Sequence, residues 1–74
     1  MFDKTENTLL TVNGMHCNHC KAKVENTLKA LKGVKKYTVS LETASAEVEY
    51  VPKKITPAEI ASAITNAGFE ASVK

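Results

Sequence analysis

Apolar and polar positions along the chain change period several times, and each change marks an element. Residues 8–12, Thr-Leu-Leu-Thr-Val, are rich in β-branched and aliphatic types, with Leu10 and Val12 on one face of a short strand that Asn13-Gly14 breaks. From about His19 to Leu31 the period lengthens: Cys20, Val24, Leu28 and Leu31 recur at helical spacing, one stripe of an amphipathic helix. Lys21, Glu25, Lys29 and Lys32 take the other face, and the Glu25–Lys29 pair has the favourable i,i+4 orientation, worth ~0.2–0.5 kcal/mol. Gly33 stands where a helix needs a left-handed stop, which predicts a helix end near Lys32.

Alternation then returns in two runs, Tyr37, Val39, Leu41 and Ala46, Val48, Tyr50, joined by the polar Glu42-Thr43-Ala44-Ser45 connection: a hairpin with one apolar face. Thr56-Pro57-Ala58-Glu59 is a helix-start signature, with an N-cap hydroxyl, a proline at the first helical position and a glutamate three residues after the cap. Ile60, Ile64 and Ala67 form the buried stripe of that second helix, Gly68 ends it, and Phe69, Ala71 and Val73 alternate as a last short strand. The order βαββαβ predicts an α+β, ferredoxin-like split arrangement, with two helices on one face of a four-stranded antiparallel sheet and the other face solvated. No repeat, linker or low-complexity stretch interrupts the 74 residues, so the expectation is a single domain over residues 1–74 with its core at about 8–73.

Composition narrows the function. With 43% apolar residues in so short a chain there is little core to spare for a deep active site, and stability of roughly 4–11 kcal/mol follows from ~0.05–0.15 kcal/mol per residue. The 10 cations are all Lys and stand against 8 acidic residues, a net charge of +2. Near-balance, the absence of arginine forks and the lack of any long like-charge run argue against nucleic acid as a partner. The mixed-charge start and the lack of a long apolar run predict no export signal and no direct membrane insertion, and hence a cytoplasmic protein. No Ser/His/Asp set, glycine-rich phosphate loop or carboxylate pair is visible, so the chain reads as a non-enzyme.

What carries chemistry is Gly14-Met15-His16-Cys17-Asn18-His19-Cys20, on the turn from the first strand into the first helix. Two thiols about one helical turn apart can converge, and the exposed N–H groups of a helix start favour the thiolate over the thiol. Thiolate is both the metal ligand and the nucleophile, so the residues themselves leave soft-metal binding and disulfide exchange open. Buried cysteines often act as small hydrophobes, and Cys20 lies on the apolar stripe; Cys17, in a polar loop, has no such explanation.

Gly-Met-x-Cys-x-x-Cys between a first strand and a first helix, followed by Gly33-Val34, Val39-Ser40-Leu41 and Ala67-Gly68-Phe69, resembles the heavy-metal-associated domain family and is most similar to its bacterial copper chaperones. The resemblance covers about residues 8–73. It implies that Cys17 and Cys20 hold one Cu(I) ion between their sulfurs in near-linear geometry and pass it to a metal-transporting P-type ATPase or its metal-binding domain. Coordination chemistry supports the same ion: soft thiolates select Cu(I), and a two-thiolate site leaves positions open for a partner's incoming thiolate. The expected state is a monomer without metal, with a copper-bridged dimer through four cysteines as an alternative on loading.

The neighbours of the cysteines each admit two readings. Met15 is either a thioether ligand or, as the resemblance implies, a core anchor for the loop. His16 and His19 are either further ligands or solvent-exposed loop residues; interleaved with the cysteines in one segment, they are poorly placed to close a tetrahedron. In protonated form either could stabilise the thiolates. Phe69 is either an apolar cover beside the metal or a core aromatic beginning the last strand. Lys21 and Lys23 either meet an acidic partner or keep a solvated helix face soluble.

Rival functions rest on other features. A thiol–disulfide oxidoreductase shares Cys-x-x-Cys at a helix start, but the Asn18-His19 pair lacks proline, and neither Pro52 nor Pro57 is placed to face the motif. An RNA-binding module shares the topology but needs stacking aromatics in a basic motif, and the aromatics here are Phe2, Tyr37, Tyr50 and Phe69. Among metals, Hg(II) suits the same thiols in exported relatives, and Zn(II) relatives commonly carry Asp before the first cysteine, where this chain has His16. The fold also occurs as the amino-terminal metal-binding domain of the ATPases, which is the remaining alternative to a free chaperone.

Overall fold

The computed structural model describes residues 4–16 and 18–74. Its elements run β1 (Glu6–Asn13), α1 (Asn18–Ala30), β2 (Val34–Ser40), β3 (Ser45–Tyr50), α2 (Pro57–Asn66) and β4 (Glu70–Val73). The strands form one sheet in the order β2-β3-β1-β4 with every neighbouring pair antiparallel, so β3 is inserted between the co-directional β1 and β2. Helix α1 packs over β2, α2 packs over β4 and β1, and the helices meet each other over one face of the sheet. This is the ferredoxin-like α+β architecture that the element order predicts.

Side-chain alternation decides which face is covered. Leu10 and Val12 of β1 and Ala46, Val48 and Tyr50 of β3 point into a core completed by Val24 and Leu28 of α1 and Ile60, Ala61 and Ile64 of α2. The intervening Asn7, Leu9, Glu47 and Glu49 belong to the other, uncovered face, and Leu9 is 40% exposed. Strand β2 keeps this pattern only by a bulge. Val34 pairs with Tyr50 and Lys36 with Glu49, leaving Lys35 as the extra residue, so Val34 and Tyr37 both pack against the core although an odd number of bonds separates them.

Several boundaries differ from the sequence expectation: β1 starts at Glu6, Leu41 lies in the turn after β2, and Ala67 is a half-buried cap residue after α2 rather than part of its buried stripe. Helix α1 ends at Ala30 rather than near Lys32, because the chain tightens: Leu31 N donates to Leu28 O at 3.1 Å, which keeps Leu31 against the core beyond the helix. Gly33 then turns the chain with φ +97°, and its carbonyl accepts from Val51 N at 2.7 Å. Strand β4 begins at Glu70, opposite Asn13, which leaves Phe69 in the preceding turn; Asn13 Nδ2 also donates to Glu70 Oε1 at 3.3 Å. Val73, at the far end of this short edge strand, is exposed. The start of α2 follows its signature: Thr56 is extended, and its hydroxyl accepts from Glu59 N at 3.3 Å with Pro57 at the first helical position.

Candidate metal site

Three connections gather at one end of the sheet: the β1–α1 loop, the β2–β3 turn and the α2–β4 turn. Antiparallel order requires this, since β1 ends where β3 and β4 begin. The β2–β3 turn is tied to the end of β1 by Val12 N donating to Ala44 O at 2.8 Å, and Ala44 itself has φ +51°. No pattern of residue types marks that tie in the sequence, because alanine is not a left-handed residue by preference.

Along the β1–α1 loop, Gly14 takes φ +101°, a backbone state that glycine adopts without strain. The turn sends Met15 inward, where it is 8% exposed and part of the core cluster, so its side chain is a packing anchor. His16 is exposed. Cys17 lies outside the described residues, as does Phe2 of the aromatic set. Asn18 and His19 open α1 with exposed side chains; Cys20, in the same first turn, is half-buried and packs against the core cluster. A cysteine in this place is held by its apolar flank while it remains reachable from the loop side.

His16, His19 and Cys20 do not converge, nor does any other group of three or more His, Cys, Asp or Glu among the described residues. A four-ligand Cys₂His₂ site within one chain would require its described members to converge. Phe69, half-buried in the α2–β4 turn, comes to the loop instead. A Cβ built on Gly14 would lie 3.7 Å from Phe69 Cδ1, so the ring edge borders the Gly14 turn while the ring body packs against the core. The ring therefore packs on the core from the turn before β4, not as the first residue of that strand, and borders the Gly14 turn with one edge. Lys23 reaches the same ring from α1, with Nζ 6.0 Å from the ring centroid. Lys21 is half-buried on the same helix. The structure thus joins Gly14, Phe69 and Lys23, leaves both histidines in solvent, and turns Met15 away from the loop surface.

A two-layer α+β fold with Cys-x-x-Cys at its first strand-to-helix turn defines a small metal-binding domain. The chain belongs to the heavy-metal-associated domain family, whose family model matches residues 9–70. It is 46% identical over 69 residues to the cation-transporting ATPase HMA5 of Oryza sativa subsp. japonica, an alignment covering 93% of this chain and 7% of that protein. It is 38% identical over 63 residues to the copper chaperone CopZ of Enterococcus hirae, covering 85% of this chain and 91% of CopZ. Among solved structures it resembles the copper binding domain from HMA7, a P-type ATPase, with a TM-score of 0.90 at 34% identity and 92% coverage of both chains. The chain therefore spans only a small part of the ATPases it matches, 7% of two of them and 4% of a third. No helix among the described residues is long and apolar enough to cross a membrane.

Proposed function

We propose that the chain is a single-domain, non-enzymatic carrier of Cu(I), in which Cys17 and Cys20 hold one ion between two thiolates and release it by ligand exchange to a metal-transporting P-type ATPase in the cytoplasm. The observation that carries this reading is the placement of Cys20 in the first turn of α1, half-buried against the core cluster and within the residues that the family model matches. Two soft donors and open coordination positions suit an ion that must leave again. An incoming thiolate forms a three-coordinate intermediate, and a resident thiolate then departs, so no free copper is released. Exposed His16 and His19 support a two-sulfur set over a tetrahedral Zn(II) site. The match to nearly all of CopZ supports a free carrier, and the higher identity to HMA5 supports a second reading, the amino-terminal domain of such an ATPase. X-ray absorption of the reduced protein loaded with one equivalent of Cu(I) tests the ligand set: two sulfur scatterers and no imidazole signature are expected. A nitrogen shell or three or more sulfurs per copper in the monomer would reject it.

A further inference from the structure

We infer that Lys23 is a positioning residue that acts on the metal loop through Phe69, holding the ring against the Gly14 turn and slowing exchange of the bound ion; the inference rests on the Cu(I) reading above. Phe69 lies between two elements. One ring edge borders Gly14, at 3.7 Å from a Cβ placed there, and the ring face receives Lys23 Nζ at 6.0 Å from its centroid. The ring occupies a turn rather than a strand, directly after Gly68 with φ +108°, so no ladder hydrogen bond fixes where it points. Packing on its core side and the cation on its face set its orientation. Lys23 follows Cys20 by one helical turn on α1, so the residue that restrains the ring is a surface neighbour of the half-buried cysteine.

An apolar ring edge beside the loop excludes water and polar competitor ligands from that side. The contact with Lys23 is exposed and near the outer limit of cation–π attraction, so it is weak enough to be displaced. A carboxylate on a docking partner offers the ammonium a charge-assisted hydrogen bond, which draws Lys23 off the ring and loosens the cover at the moment of docking. Lys23 would then both meet an acidic partner and report that meeting to the loop.

The test uses the reduced protein with Lys23→Met, Lys23→Arg, Phe69→Leu and the Lys23→Met/Phe69→Leu double variant. In metal-free protein, the Gly14 α-proton should carry a ring-current shift that Lys23→Met reduces and Lys23→Arg preserves. In protein loaded with one Cu(I), capture by excess chromophoric chelator should be roughly 2–5-fold faster in Lys23→Met, as loss of an exposed cation–π contact implies. It should return to the parent rate in Lys23→Arg, and the double variant should be no faster than Phe69→Leu alone. An unchanged rate in Lys23→Met, or an acceleration as large in the Phe69→Leu background as in the parent, would overturn the inference and leave the carrier reading intact. Failure of the parent to bind Cu(I) would overturn both.

Discussion

Two left-handed glycines sit at opposite ends of the sheet and are held in contrasting ways. Gly33, between α1 and β2, is locked: its carbonyl accepts from Val51 N at 2.7 Å, and a Cβ there would meet Lys54 Cβ at 2.8 Å and Ile55 Cγ2 at 3.0 Å. Gly14, between β1 and α1, would place a Cβ at ordinary contact distance, 3.7 Å, from Phe69 Cδ1, the one neighbour within 4 Å of it among the described residues. Backbone and packing lock the Gly33 turn, while among the described residues one aromatic side chain borders the Cβ position of Gly14. On the proposed carrier reading the difference places stability at the Gly33 end and exchange at the Gly14 end, since a loop that admits a partner's ligand has to give up tight packing.

Substitutions at the two ends should separate these roles. The largest effect is expected for Gly33→Ala, where positive φ and overlap with Lys54 and Ile55 combine; about 2–5 kcal/mol should be lost in denaturant unfolding, with Cu(I) stoichiometry unchanged in the folded fraction. Against a total of roughly 4–11 kcal/mol that is a severe loss. Gly14→Ala meets ordinary contact distance and carries only the backbone cost, about 1–2 kcal/mol, but it should change the rate of chelator capture, which Gly33→Ala should not. Equal effects of the two glycines on capture would dissolve the contrast. Thr56→Ala, at neither glycine, removes the α2 cap that accepts from Glu59 N and should lower stability by about 1 kcal/mol with no effect on capture, which sets the background for the other two.

The sequence made the element order legible because period and punctuation agree: Thr56-Pro57-Ala58-Glu59 behaves as its residue types require, and Leu10, Val12, Val48 and Ile60 lie inside as their periodicity demands. Periodicity reports faces, however, and says little about register. The bulge at Lys35, the tightened turn at Leu31 and the left-handed Ala44 follow from fitting strands and helices together, and no local composition announces them. The same limit applies to the site. The Cys-x-x-Cys motif is local and stands out in the chain, whereas the meeting of Lys23 with Phe69 joins α1 to the α2–β4 turn and exists only after folding. Read singly, Lys23 is either a partner surface or a solvated helix face and Phe69 either a cover or a core aromatic; together they form one contact beside Gly14. Cys17, which completes the proposed donor pair, is known from the motif and lies outside the described residues.

Two sulfurs of this chain are proposed to hold one exchangeable Cu(I), and an anaerobic titration of the reduced protein with Cu(I) against a chromophoric chelator tests this. Excess Zn(II) and glutathione should be present, with the Cys17→Ser/Cys20→Ser variant alongside. One Cu(I) per chain, retained against zinc and glutathione and absent from the double variant, is the predicted result. Loss of the ion to glutathione, preference for Zn(II), or retention of copper by the variant would contradict it.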